Sequence, residues 1–418
     1  HDVFFQNLLK AIVAIDPISL IPIFTAITAT ISLRETIKLS VIVFIICSFL
    51  LTFFCIYGNN FLVYMGVSLG SFQIVGGLFL LIISYEMVLE KRVKRKKNLT
   101  KNLSDDFSNI SIENINRQDL ALDEVRVKVN SASVNFPDLL MTAGLYQYKP
   151  EIPFTLGMES SGVIIEIGTD IKDFDIGDEV IISAFTGSFS EELVVPEIKV
   201  RKKPLGLNWE QASTYTVAYL TAYVSLITKG DLKPGETLLV HGAAGGVGLA
   251  AVDIGRYIGA KVIAVASTQE KRDFLLSYGA DFVLSPDKGF KDHVKEITNN
   301  LGADVIYDPV GGDVFDESIR CIAWNGRLLV VGFASGRIPS IPANMPLIKG
   351  FSVIGVRAGE YGRRSPEEGR EHFAMIDKLI SDGSLNPHIH KIYSLDQTIE
   401  ALKELRDRKV IGKVCINP

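Results

Sequence analysis

Thr237-Leu238-Leu239-Val240-His241-Gly242-Ala243-Ala244-Gly245-Gly246-Val247-Gly248-Leu249-Ala250 decides the fold. An apolar strand runs into a glycine-rich turn and directly on into a helix. Backbone N–H groups and the positive end of that helix can then approach a pyrophosphate with no side chain in the way. Such a turn alone says little, but a second strand follows at Lys261 to Ala266. Helix, strand, Gly-rich turn and helix then recur from Trp209 through Ile354, the alternation of a doubly wound parallel α/β sheet.

The second strand ends at Ala264-Val265-Ala266-Ser267-Thr268 without the acidic residue that would take a ribose 2′-hydroxyl. Ser267, with Lys271 and Arg272 one helical turn on, can instead hydrogen-bond and neutralise a 2′-phosphate. The expected cofactor is therefore NADP(H); the competing reading of Lys271 and Arg272 is a solvated basic helix face. Upstream, Glu124 to Asn135 alternates in Val125, Val127 and Val129, the period of a half-buried strand. Short strands at Gly162 to Ile167 and Glu179 to Ile182 make this a mostly-β module. Beyond Val356 come a helix (Glu367 to Ser381), a strand near Lys391, a helix (Leu395 to Arg408) and a strand (Gly412 to Ile416). The expected division is a mostly-β catalytic domain of residues 111–208 and 356–418 around a dinucleotide-binding domain of residues 209–355.

The other end is written for lipid. From Leu39 to Leu89 the only charged residue is Glu86. Leu39 to Tyr57 alone is long enough, at about 1.5 Å per residue, to cross a hydrocarbon core of roughly 30 Å. Val3 to Thr28 and Phe61 to Leu89 read as further spans, giving an all-α transmembrane segment of three helices over residues 1–90. Arg34 and Lys38 fall on the same side as the Lys91 to Lys97 run, which predicts a multi-pass inner or plasma membrane protein with everything after Lys97 in the cytoplasm. Residues 91–110, basic and then Asn- and Ser-rich, read as a linker. A net charge of −5 and a pI near 5.8 argue against nucleic acid as a partner. Cys47, Cys55, Cys321 and Cys415 have no zinc-knuckle or redox spacing.

A longer set of motifs carries a resemblance. Val134-Asn135-Phe136-Pro137-Asp138-Leu139-Leu140, Gly144-Leu145-Tyr146, Gly157-Met158-Glu159, Gly177-Asp178-Glu179-Val180, Leu220-Thr221-Ala222-Tyr223, Asp308-Pro309-Val310-Gly311-Gly312 and Gly326-Arg327 through Val331-Gly332 stand in order around the Gly-rich turn. Over about residues 111–418 the chain resembles the zinc-free, zeta-crystallin-like quinone oxidoreductase branch of the medium-chain dehydrogenase/reductase superfamily. That resemblance implies a GroES-like domain joined to a Rossmann domain, a homodimer through the reductase part, and zinc-independent hydride transfer from NADPH to a quinone or conjugated carbonyl. Zinc-dependent relatives have a Cys in the first motif and Gly-His-Glu in the third, so here no zinc ligand set is expected. The resemblance places Asn135 and Asp138 near the nicotinamide and acceptor, Tyr146 in the acceptor pocket and Thr221 on the nicotinamide side. It sets Gly332 and Phe333 by the nicotinamide ribose or amide, Lys413 in a position that holds the cofactor, and Gly242, Gly245, Gly246, Val247 and Gly248 on the pyrophosphate. From the residues themselves, Asn135 can give and take hydrogen bonds, and Tyr146 can stack on a quinone or protonate an enolate. A turn-capping Asn, a helix N-terminal Asp and a packed Tyr are the competing readings. His241 reads as a strand-end hydrogen-bonding residue. Reduction of an enone or enoyl-thioester double bond, NADPH sensing, and a reductase that is only a passenger on a membrane protein stay open.

Ala14-Ile15-Asp16-Pro17-Ile18-Ser19-Leu20-Ile21-Pro22-Ile23-Phe24 and Gly66-Val67-Ser68-Leu69 through Gly76-Gly77 resemble the MarC-type inner-membrane family over about the first 95 residues. Only the first half of that family's spans is represented, and Asp16 reads as a helix-break residue rather than a transport site. The chain opens on His1, and the polar Asn98 to Ser108 stands where the reductase family has its first strand. The expectation is two partial genes in one reading frame.

Overall fold

The computed structural model describes Tyr57, Tyr64, Ser68 and residues 107–418. The expected spans at 3–28, 39–57 and 61–89, and most of the linker, lie outside the described residues. Among the described residues no helix is long and apolar enough to cross a membrane.

The chain first lays down β1 (Glu124–Val134), β2 (Glu159–Ile167), β3 (Glu179–Ser183), β4 (Glu192–Pro196) and β5 (Val200–Lys202). It then builds a second sheet from β6 (Thr237–Val240), β7 (Lys261–Val265), β8 (Phe282–Leu284), β9 (Ala303–Asp308), β10 (Ile322–Val330) and β11 (Ser352–Gly355). Finally β12 (Ile389–Ser394) and β13 (Lys413–Asn417) return to the first sheet. That sheet has the order β12-β13-β1-β2-β3-β5, with β4 also on β1. The valines read in β1 are buried, Val125 and Val127 fully, but the strict alternation does not hold: Arg126 and Ser131 to Val134 are buried as well, and only Lys128 is exposed, because β1 is covered on both faces. β1 pairs antiparallel with β2, β4 and β13, in a register that sets Ser133 opposite Glu159 and Val134 opposite Val414.

The second sheet is parallel throughout, in the order β11-β10-β9-β6-β7-β8. Helices cover both faces, which is why Leu238, Leu239 and Val240 are buried without alternation. The strand order reverses at β6, between β7 and β9, and the crevice outside the strand ends at such a reversal is where a parallel sheet receives ligands. The Gly242–Gly248 turn leaves β6 at that point. This is the GroES-like plus Rossmann architecture expected from the sequence. The Pro366–Ser381 helix buries Ile376, Leu379 and Ile380 in the same cluster as Leu238, Val240 and Leu249. Among the described residues no strand precedes Glu124; Phe107 instead packs beside Val129, Val134 and Ile416.

Candidate active site

β1 ends at Val134, and the next residue, Asn135, caps the Phe136–Thr142 helix. The Asn135 N–H donates to Asp138 Oδ2 at 2.8 Å, and Asp138 Oδ1 accepts the Gly157 N–H at 3.2 Å. Asp138 thus ties a helix start to the next loop, and it is fully buried. Burial pushes its carboxyl up to about 7 against the pull of those two N–H groups and of Lys413. A folded-state pKa above the unfolded value makes the native state bind the extra proton, so stability falls as pH rises from about 4 to 7. Asp138→Asn, which cannot ionise, is expected to flatten that stretch of a urea-midpoint-against-pH profile; an unchanged slope would assign it to another group.

With its backbone so held, the Asn135 side chain turns the other way. Its Oδ1 accepts from Lys413 Nζ at 2.5 Å, and its Nδ2 donates to Glu159 Oε1 at 2.9 Å. Lys413 Nζ reaches the same Glu159 oxygen at 3.0 Å and the Val134 carbonyl at 3.3 Å. Glu159 also accepts Ser133 Oγ at 3.0 Å and, on Oε2, the Val217 N–H at 2.8 Å. The three strands β13, β1 and β2 bring these residues together by register alone. The result is a buried charge pair whose remaining lone pairs and protons are occupied, the condition under which such a pair is tolerable.

The Lys413 stem lies against the glycine turn. A Cβ on Gly246 would stand 2.6 Å from Lys413 Cδ. Gly412 donates its N–H to Ala244 O at 2.8 Å, in a parallel bridge with Gly245. Gly242 has φ +57 and is exposed. A Cβ on Gly248 would be 2.2 Å from the Gly242 carbonyl oxygen, so the turn closes onto its own helix only because that position has no side chain. This cradle fits a dinucleotide pyrophosphate: glycines give close approach, the helix start stays open, and the buried lysine stands beside it. On the other rim the Ala334 and Ser335 N–H groups donate to the Pro309 and Val310 carbonyls at 3.1 and 2.9 Å. That places Gly332 and exposed Phe333 across from Gly242.

The other residues singled out from sequence lie less simply. The Thr221 hydroxyl donates into its own helix, to Val217 O at 2.7 Å. Tyr146 is half-buried; burial raises its pKa while the charges of Arg357 and Arg363 lower it. Ser267 is exposed, whereas Lys271 is folded inward, its Nζ donating to Arg408 O at 2.5 Å. Arg272 donates to the carbonyls of Ala266 and Ser267 at 2.8 and 3.2 Å. Arg408 in turn reaches Ala334 O at 3.0 Å, which links the Lys271 helix to the Phe333 loop. His241 is buried, bonded through Nε2 to Ser318 Oγ at 2.8 Å and pushed by burial down to about 3, so it is neutral and structural. Sequence reasoning missed Glu159, Arg357, Arg363 and Arg408 as functional candidates. The available signal for Glu159 was its place in the Gly157-Met158-Glu159 motif; the arginines gave none.

Family models match three parts of the chain: a MarC family integral membrane protein over residues 1–116, an alcohol dehydrogenase GroES-like domain over 121–205 and a zinc-binding dehydrogenase over 246–377. A quinone oxidoreductase-like protein 2 homolog of Nematostella vectensis is 41% identical over 304 residues, covering 72% of this chain and 83% of that protein. The quinone oxidoreductase-like protein 2 of Mus musculus is 34% identical over 310 residues, covering 74% and 89%. The Escherichia coli quinone oxidoreductase complexed with NADPH superposes with a TM-score of 0.68 at 28% identity, covering 73% of this chain and 95% of that one. The fold, the glycine cradle and these relatives agree on a nicotinamide-dependent oxidoreductase, and the chain belongs to the quinone oxidoreductase branch of the medium-chain dehydrogenase/reductase family, preceded by a MarC-family segment.

Proposed function

We propose that the chain reduces quinones or other conjugated carbonyl compounds with NADPH and without zinc. The observation that carries the reading is the Lys413–Asn135–Glu159 cluster set against the glycine turn at the sheet's reversal point. Bound NADPH would supply the hydride. The chain's share is orientation: Gly242 to Gly248 take the pyrophosphate, Lys413 and Asn135 fix the geometry beside it, and Phe333 flanks the nicotinamide. Tyr146 lines the acceptor pocket. The first motif, Val134-Asn135-Phe136, holds no Cys, and Met158 stands where zinc-dependent relatives carry His, so the resemblance offers no zinc ligand set.

Steady-state NADPH oxidation with quinones, enones and enoyl thioesters tests this, product analysis locating the hydride. Turnover that survives chelation supports it, and stoichiometric zinc needed for activity would overturn it. For the cofactor, Lys271→Ala is expected to weaken NADPH binding about tenfold more than NADH binding: the ammonium that donates to the Arg408 carbonyl would turn to the 2′-phosphate, while loss of its tie toward the Phe333 loop affects both cofactors alike. Equal losses would remove Lys271 from the discriminating set.

The MarC-family match supports membrane association through residues 1–90; the apolar runs and the basic residues Arg34, Lys38 and Lys91 to Lys97 support a multi-pass arrangement with the reductase, its lobes formed by residues 111–208 with 356–418 and by 209–355, on the cytoplasmic side. A homodimer is supported by β11, which ends its sheet on an open edge, with Val353 exposed and Trp324, Leu347 and Ile348 exposed on neighbouring segments.

A further inference from the structure

The Gly246–Ile258 helix, which starts at the glycine turn, buries Leu249, Ala250, Val252 and Ile254, yet it also buries Asp253 completely. A carboxyl removed from water costs free energy unless its lone pairs are taken up, so an apolar residue would serve packing better at this position. Here they are taken up from three directions. Asp253 Oδ2 accepts the Tyr219 hydroxyl at 2.8 Å and the Asn386 N–H at 2.7 Å, and Oδ1 accepts Arg256 Nη2 at 2.9 Å. The Tyr278 hydroxyl donates to the Asn386 carbonyl at 2.6 Å. Both backbone polar groups of Asn386 are thus held by side chains of the Gly246–Ile258 and Gln269–Tyr278 helices.

Asn386 opens the short crossing Asn386-Pro387-His388 that leads into β12. The far end of the crossing sets Lys413: the His388 carbonyl accepts the Lys413 N–H at 3.1 Å and leaves no room for a Cβ on Gly412. β12 then runs beside β13, with Ile389 opposite Lys413. Packing leaves this seam incomplete, because a cavity of about 10 Å³ lies in it, lined by Tyr219, Gly246, Leu249, His388 and Lys413 among others. The hydrogen bonds on Asn386 therefore fix where the crossing sits, and with it how far Lys413 stands from the Gly246 backbone.

We infer that Asp253 is a positioning residue for the cofactor: through Asn386 to His388 it sets the place of the Lys413 ammonium beside the pyrophosphate cradle. This rests on the reductase reading above, which gives Lys413 to the cofactor. Asp253 lies about 10 Å along the helix from Gly246, so it acts through the crossing and not by contact. Lys413 Cδ lies 2.6 Å from the Cβ that Gly246 lacks, and at that spacing a small displacement of the crossing moves the lysine stem against the turn or away from it.

The test titrates the full chain with NADPH by fluorescence. Asp253→Leu, which fills similar space and offers no acceptor, is expected to raise the NADPH Kd about tenfold. Asp253→Asn keeps an oxygen for the Asn386 N–H and should stay within about twofold of the parent. In a Lys413→Met/Glu159→Gln background, which has no ammonium to place, Asp253→Leu should change the Kd by less than about twofold, so that the two effects are coupled. A loss that persists undiminished in that background shows that Asp253 supports the helix itself and overturns the inference. An unchanged Kd for Asp253→Leu in the parent, or an Asp253→Asn chain impaired as much as Asp253→Leu, overturns it too. Should Asp253→Leu not fold, Tyr278→Phe, which removes the hydroxyl on the Asn386 carbonyl, is read in the same cycle with about a fivefold effect in place of the tenfold one. NADPH binding without quinone turnover removes the reductase reading and leaves the coupling to decide the inference; a parent chain that binds neither NADPH nor NADH sinks both.

Discussion

Lys413→Met is expected to cost about 3 to 5 kcal/mol of stability, the penalty for stranding one member of a buried ion pair. Glu159 is fully inaccessible and Lys413 nearly so, at 0% and 8% side-chain exposure. Removing the ammonium leaves the Glu159 carboxylate with Ser133, Asn135 and Val217 as neutral donors only, and leaves Asn135 Oδ1 without its partner. The same change removes the cation beside the glycine turn, so cofactor binding should weaken in parallel. Adding Glu159→Gln to Lys413→Met removes the stranded charge and should recover most of the stability but not the cofactor affinity. Urea unfolding of the single and double variants measures the first effect and fluorescence titration with NADPH the second. A single variant within about 1 kcal/mol of the parent would mean that the pair is replaceable, as some buried pairs are.

Gly248→Ala should weaken cofactor binding between about tenfold and a hundredfold, roughly 1.4 to 2.7 kcal/mol. The added Cβ would meet the Gly242 carbonyl oxygen at 2.2 Å and the Ala243 Cα at 2.8 Å, and both are backbone atoms of the turn itself. No side chain can swing away, so the turn must open, and the N–H groups that face the pyrophosphate lose their common direction. Gly355→Ala is the control: among the described residues nothing lies within 4 Å of the Cβ it would gain, and its φ is not in the left-handed range. Binding measured by fluorescence titration that is unaffected in both would show that the cradle does not depend on this close approach.

The parallel sheet was legible because its strands are short apolar runs alternating with helices, and the run of β6 ends in a glycine turn, a purely local pattern. The read β1, Glu124 to Asn135, overshoots the observed strand by one residue. The read final strand, Gly412 to Ile416, is displaced by one from Lys413–Asn417. The cluster at the centre of the site was not legible in that way. Lys413 Nζ and the Val134 carbonyl lie 279 residues apart in sequence, and only the pairing of β13 with β1 makes them neighbours. Glu159 appeared within a quoted motif, yet its partners come from three elements that no local periodicity connects. Asp138 shows the limit most plainly. Helix capping and proximity to the reacting groups stood as alternatives from the sequence, and the geometry gives both carboxylate oxygens backbone N–H partners while the neighbouring Asn135 side chain carries the contact to Lys413. For Lys271, residue type and spacing indicated a cation at the 2′-phosphate position, but not that its ammonium folds onto Arg408.

The placement of β13 also sets a clock on synthesis. At about 5 to 20 residues per second, the 279 residues between Val134 and Lys413 take on the order of 14 to 56 s to translate. Early in that interval β2 is made and can pair with β1, but the other edge of Val134 has no strand beside it until β13 arrives. Glu159 waits in a half-built core for the ammonium that will neutralise it. The nascent chain therefore presents an unpaired β edge and an uncompensated carboxylate together until β13 is made. That is the state in which a chaperone is most needed, and in which aggregation competes hardest with completion of the fold.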